Sequence, residues 1–256
     1  MATADVGSIA LSVVMAAAAG LVGCFAVMRR MTLAADAMSH IALPGIAIAL
    51  MLQISPVFGA LAMLLFGAVL IWAIETRTRL STETVVGVVF ALALAVGATL
   101  ASGDELIDAL LGSPGSLQGW EEGLGIVAAL GVIVFVFRAR HALVLSLVSD
   151  DIALTSGIRV ARLDLCFLLA FALTIALGLR YLGVLLMGSL IIIPAAIAKR
   201  LARDLSQMFG IAVAAAVAST LAGTGVAAAT GRAGGPLIVI VAATLFLLTL
   251  LKPRRV

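Results

Sequence analysis

The chain has 256 residues, of which 64% are hydrophobic, 11% charged and 5% aromatic, with a mean hydropathy of +1.28 and a formal net charge of +3. A soluble globular domain is about 45–50% apolar and about 25% charged, so this composition excludes a water-facing globule and reads as a multi-span membrane protein. The basic excess is no nucleic-acid signal, because the arginines fall in small groups between apolar stretches, where orientation anchors belong.

Nine stretches are long and apolar enough to be candidate transmembrane helices: 8–28, 31–53, 57–74, 85–101, 124–138, 163–179, 182–198, 208–229 and 236–251. The first resembles a secretion signal, but it lacks a basic leader (its flank carries Asp5) and is expected to be retained as a span. Ser55-Pro56 and Gly235-Pro236 mark two of the turns. The fifth stretch is expected to be short. The sixth and seventh are divided by little more than Arg180, which leaves eight spans as an alternative. The eighth is nearly all Ala, Gly, Val, Ser and Thr. Such small residues favour packing inside a bundle over facing lipid; Gly210, Ala214, Ala218 and Ala222 form a small-xxx-small row, as almost any face of so alanine-rich a segment would. Cys24 and Cys166 lie in apolar stretches in no metal-ligand spacing, and are expected to be buried thiols.

Charge sets the orientation. With the N-terminus outside, the cytoplasmic side receives Arg29, Arg30, Arg77, Arg79, Arg138, Arg140, Arg159, Arg162, Lys199, Arg200, Arg203, Lys252, Arg254 and Arg255, against Arg180 and Arg232 outside. The loop 102–123 carries Asp104, Glu105, Asp108, Glu121 and Glu122 with no basic residue, as an outside loop should. The expected fold is therefore all-α, a polytopic transmembrane bundle of about nine spans, N-out and C-in, forming one domain over residues 1–256.

Several activities lack their residues. There is no G-x-x-x-x-G-K-[ST] phosphate loop, no H-E-x-x-H and no G-x-S-x-G elbow. With two histidines in the chain, an intramembrane zinc protease is poorly supplied with ligands.

One pair of polar residues lies well inside a span. In the run AADAMSHIALPGIAIAL, residues 34–50, Asp36 and His40 stand four apart and share one helix face, with Ser39 beside them. An ionisable side chain in hydrocarbon carries a penalty of at least about 2.5–3.5 kcal/mol and marks a functional site by default. Three roles compete: a structural Asp–His hydrogen bond between helices, a proton relay of a secondary transporter, and a transient site for a divalent cation. Carboxylate oxygen with neutral imidazole suits first-row dications, and two ligands fall short of a closed four-ligand site, as a conduit requires. Pro44 frees the carbonyl of His40 from the helix ladder, a further possible oxygen ligand.

A second informative stretch, HALVLSLVSDDIALTSGIRVARLD, residues 141–164, falls on the cytoplasmic side. Ser149 can cap a short helix whose first turn carries Asp150 and Asp151, and Gly157 can end it. A helix of about seven residues is marginal in water, so it docks, either on its own bundle or on a separate cytoplasmic protein.

Together these residues resemble the permease subunits of the manganese/zinc/iron (ABC-3) ABC importer family. The stretch A-D-A-M-S-H-I-A-L-P-G-I-A, residues 35–47, is similar to the family's G-D-A-[ILM]-[SA]-H-A-x-L-P-G-[VI]-A, with Ala35 where Gly is usual. D-D-I-A-L-T-S-G-I, residues 150–158, is a looser match to a cytoplasmic D-x-x-x-A-x-x-x-G-[IV]. Y-L-G-V-L-L-M-G-S-L-I-I-I-P-A-A-I-A, residues 181–198, is a close match to a third family motif, and ETVVGVVFALALAVG, residues 83–97, looks like the family's fourth span.

The resemblance implies a type II ABC importer-like permease in a bacterial plasma (inner) membrane. It would be paired with a second copy, two cytoplasmic ATPase subunits and an extracytoplasmic metal-binding protein. No cofactor is expected to be tightly bound, ATP belonging to the partner and a divalent metal being the cargo. Asp36 and His40 would line the ion path with Ser39 and Pro44. Ser149, Asp150, Asp151, Ala153 and Gly157 would form the helix that couples to the ATPase. The alternative is a proton-coupled secondary metal transporter.

Overall fold

The computed structural model describes residues 6–78, 80–100, 119–182 and 184–251. Among them are ten helices and no strand: α1 Val6–Met28, α2 Thr32–Met51, α3 Pro56–Arg77, α4 Thr82–Leu100, α5 Gly119–Val148, α6 Asp150–Thr155, α7 Val160–Leu182, α8 Val184–Leu201, α9 Leu205–Thr230 and α10 Gly234–Leu250. The acidic residues Asp104, Glu105 and Asp108 of the expected outside loop lie beyond the described residues, as do Arg79, Lys252, Arg254 and Arg255. Seven helices, α1 to α5, α7 and α9, are long and apolar enough to cross a membrane; α10 is a shorter apolar helix, and α8, with Lys199 and Arg200 in its last turn, has 18 residues.

The helix boundaries follow local chemistry. Pro56 starts α3 at its first turn, where the missing N–H is no loss. Asp204 caps α9 by accepting from the Gln207 N–H at 2.8 Å, and Gly231, at φ 67°, ends that helix in the left-handed region. The link between α1 and α2 is tight. Arg30 adopts φ 61°, and the Met31 N–H donates to the Ala26 carbonyl at 2.8 Å, closing α1 with a non-glycine residue where glycine is the rule.

The short fifth span expected at 124–138 is instead the start of a 30-residue helix, α5. At 1.5 Å per residue it is about 45 Å long, against about 30 Å of hydrocarbon. Arg138 and Arg140 end the apolar run, but no Pro or Gly between Val132 and Val148 ends the helix. A charge terminates a span, not a helix.

The core is built around two helices that barely touch each other. Helix α1 is enclosed by α5, α7, α8 and α9, and α2 by α3, α4 and α8, so α8 bridges the two groups. For both α1 and α2, 67% of the apolar window is buried within the chain, against 22% for α5 and 28% for α9. Around α1 the packing is aromatic: Phe25 meets Phe167 edge-on at 6.4 Å and Phe209 at 5.6 Å. Around α2 it is backbone on backbone. Gly45 and Gly59 face each other, and a Cβ on either would overlap the other's carbonyl. Both cysteines are free thiols; Cys24 is buried as expected, whereas Cys166 is exposed on α7.

Candidate ion-path site

Helix α2 places Asp36 and His40 one turn apart on its open face. Asp36 is exposed and His40 half-buried within the single chain, while Ala34, Ala35, Met38, Ser39 and the run Ile41–Ala47 are buried. The open face is narrow because neighbours crowd in from both sides. On one side α8 comes so close that a Cβ on Gly188 would stand 3.0 Å from both the Cα and N of Asp36. On the other side the ring of Phe90, from α4, lies 5.7 Å from that of His40 at a 56° tilt. Glycine at 188 is thus what lets the third family-like motif sit against the backbone of the first.

The atoms of the pair are unequally satisfied. Nδ1 of His40 is buried with no hydrogen-bond partner among the described residues. A buried polar atom without a partner costs about 1–3 kcal/mol. The hydroxyl of Ser39 is fully buried and donates to the Asp36 carbonyl at 2.7 Å, so it is committed to its own helix rather than aimed at the pair. Pro44 is buried one turn beyond His40, against α4 at Gly97. Lacking an N–H, it leaves the His40 carbonyl without its helical donor. No group of three or more His, Cys, Asp or Glu that could hold a metal occurs among the described residues. The described residues therefore set one carboxylate and one imidazole a turn apart and form no closed cage.

The second predicted region forms the expected short helix. Ser149 is the N-cap of α6, its hydroxyl accepting from the Ile152 N–H at 3.4 Å, and Asp150 and Asp151 occupy the first turn. Gly157 sits at φ 80°, and the Ile158 N–H donates to the Ala153 carbonyl at 3.0 Å to close the helix. Ala153 is fully buried against the chain, whereas Val148, Ile152 and Leu154 are exposed apolar side chains around it. So short a helix is held down by one buried alanine and leaves three large apolar residues open around it.

A profile of the ABC 3 transport family matches residues 5–253. This chain belongs to that family. Among curated relatives, the high-affinity zinc uptake system membrane protein ZnuB of Haemophilus influenzae is 30% identical over 241 residues, covering 91% of each chain. The manganese transport system membrane protein MntC of Halalkalibacterium halodurans is 30% identical over 234 residues, covering 90% of this chain and 80% of that one. Among solved structures, a chain of PsaBC from Streptococcus pneumoniae in complex with Fab shares the fold at a TM-score of 0.80 and 24% identity, over 94% of this chain and 88% of that one. The family assignment makes the chain a membrane-embedded permease subunit rather than an enzyme, consistent with its seven span-length apolar helices.

Three residues at or near the site carry no signal in a reading by spacing. Gly188 and Phe90 act through helix contacts of long sequence separation. Arg29, counted by sequence as an orientation anchor, makes a 2.8 Å ion pair with Asp164, 135 positions away.

Proposed function

We propose that the chain is the pore-forming subunit of an ATP-driven ABC importer for a divalent transition metal, with Asp36 and His40 as transient ligands of the passing ion. The observation that carries this is the pair itself. An acid and an imidazole share the open face of one of the two most enclosed helices, the imidazole with a buried nitrogen that finds no partner among the described residues. A dication supplies what that nitrogen lacks, and the freed His40 carbonyl adds an oxygen. Ser39 and Pro44 stand behind the pair, one holding the Asp36 carbonyl and the other opening the ladder. The relatives named for zinc and for manganese match at the same identity, and oxygen with imidazole suits both metals as well as iron.

The rest of the assembly follows from the same reading. The chain is one permease domain with nine spans, N-out and C-in, in a bacterial plasma membrane; the fourteen-to-two division of basic residues supports that topology. Two protein ligands per chain make a second copy a natural source of more, since the pair lies on an open face. Residues 149–158 are the coupling helix, presenting Val148, Ile152 and Leu154 to one of two cytoplasmic ATPase subunits. An extracytoplasmic metal-binding protein delivers the ion, and ATP binds on the partner, as a chain without a phosphate loop requires.

The test is uptake of radioactive manganese, zinc and iron into vesicles holding the permease with its ATPase and binding protein. The full complex accumulates one of them with ATP, and the permease reconstituted without its partners accumulates none. Asp36→Ala with His40→Ala abolishes uptake while the complex still assembles. Full uptake by that double variant would remove the pair from the mechanism. Uptake without the ATPase that collapses with an uncoupler would make the protein a proton-coupled secondary transporter.

A further inference from the structure

Arg29 sits where three helices meet, seven positions before Asp36. Its Nη1 lies 2.8 Å from Oδ1 of Asp164 on α7, with both side chains largely buried. Its Nη2 donates to the Ser146 hydroxyl on α5 at 3.2 Å, and its guanidinium carbon lies 4.8 Å from the centre of the Phe167 ring on α7. Ser146 and Asp164 bracket the short helix α6, the first at the end of α5 and the second in the first turns of α7. On the other side of Arg29 the chain turns through Arg30, at φ 61°, and the buried Met31 straight into α2. One side chain thus ties both flanks of α6 to the turn that begins the helix carrying Asp36 and His40. A second tie runs parallel to it: Trp72 of α3 donates its indole N–H to the Ala161 carbonyl at 2.6 Å, and α3 meets α2 at Gly45 and Gly59.

We propose that Arg29 is a positioning residue that passes movement of the α6 region to the start of α2, and so to the Asp36–His40 pair. Arginine suits the task because its planar fork holds a carboxylate and a hydroxyl at once while its face lies on an aromatic ring. The Nε of Arg29 is buried with no acceptor among the described residues. A buried open donor is costly, so a second arrangement that gave Nε an acceptor would be favoured by the cost it removes. The Asp36–His40 pair takes no part in this network. It is the load, and Arg29 the link.

The proposal rests on the importer reading, so the experiment reads it in two ways. In the reconstituted complex, Arg29→Met is expected to lower metal taken up per ATP hydrolysed about tenfold, with ATPase activity within about twofold of the unaltered complex. Asp164→Asn, which keeps a hydrogen bond and loses the charge, lowers the ratio less, and Arg29→Lys falls between them. The second readout needs no cargo. The Asp36→Cys variant, in a Cys24→Ala, Cys166→Ala background, is labelled with a water-soluble maleimide with and without ATP plus vanadate. With Arg29 present the labelling rate changes on trapping; with Arg29→Met the change disappears. Uptake and ATPase falling in parallel, or a labelling change that survives Arg29→Met, overturns the proposal. If the unaltered complex imports no metal yet the Asp36→Cys complex shows the Arg29-dependent labelling change, the metal reading fails and the link stands.

Discussion

Helices α2 and α9 are both rich in small residues and both apolar enough to cross a membrane, yet they occupy opposite places. Helix α2 is packed by α3, α4 and α8, and its open face carries Leu33, Asp36, His40, Ile48 and Met51. Helix α9 is buried along Met208, Phe209, Ala212, Ala216, Ser219, Thr220 and Gly223 and leaves a broad apolar face open. From sequence the helix is expected inside the bundle with no one face singled out; its row Gly210, Ala214, Ala218, Ala222 is exposed, and Gly210 has nothing within 4 Å of where its Cβ would be. Small residues therefore permit close packing without saying which side of a helix is packed. Lipid can solvate the open face of α9 at little cost. It cannot do so for α2, where the acid carries a penalty of at least about 2.5–3.5 kcal/mol in hydrocarbon. On the proposed reading, water, an ion or a second copy meets the open face of α2, while the open face of α9 suits a lipid-facing perimeter.

The sharpest way to break this contrast is to make the face of α2 resemble that of α9. Replacing Asp36 and His40 together by leucine is expected to reduce metal uptake to background while the thermal midpoint of the purified complex holds or rises. The substitution removes an exposed carboxylate and a buried unpartnered nitrogen, and a leucine at 40 keeps an apolar contact with the Phe90 ring. A lower midpoint together with loss of assembly would instead make the pair a structural fastener between helices.

A smaller effect, and one on stability, is expected where α2 meets α3. A Cβ at position 59 would stand 2.6 Å from that of Ala49 and would overlap the Gly45 carbonyl, so the backbones must separate. Gly59→Leu should destabilise by about 1–3 kcal/mol, the usual range for overpacking a filled interior. It should also displace α2, the helix proposed to carry the ion path, from its neighbour, so uptake falls with the midpoint. An unchanged midpoint would mean that α2 is less firmly enclosed than its burial implies.

The parts legible in the sequence are those written in local pattern. Hydropathy places the seven described helices that are long and apolar enough to cross a membrane, because apolar runs of about 20 residues have few other uses. Ser149, Asp150, Asp151 and Gly157 announce a capped six-residue helix, since capping is a contest among near neighbours. The Asp36–His40 pair is visible because charge inside a greasy run is expensive, and the i, i+4 spacing fixes a shared face. What stays hidden depends on partners far along the chain. The Arg29–Asp164 ion pair spans 135 positions, and Arg29 by itself looks like any cytoplasmic anchor. The length of α5 was hidden for another reason: Arg138 and Arg140 break hydropathy but form helix readily. The facing of α9 was hidden because nearly every row of an alanine-rich helix is small.

The smallest effect is expected on α9. Gly210 lies on the open side of that helix and lines a groove of about 710 Å³ between α1, α5 and α9, with Leu21, Phe137, Phe209 and Val213 as its apolar walls. If the groove faces lipid, a leucine at 210 exchanges a lipid tail for a side chain of the same character, and it replaces the poorest helix former after proline with one of the better ones. Gly210→Leu should then leave uptake within about twofold and shift stability by no more than about 0.5 kcal/mol, as surface changes generally do. Thermal midpoint and uptake measured on the same preparation check both. A loss of assembly at this position would mean that another protein chain needs the groove empty. The open row on α9 would then be an interface, and the contrast with α2 would lie between two contact surfaces, one polar and one apolar, rather than between a passage and a perimeter.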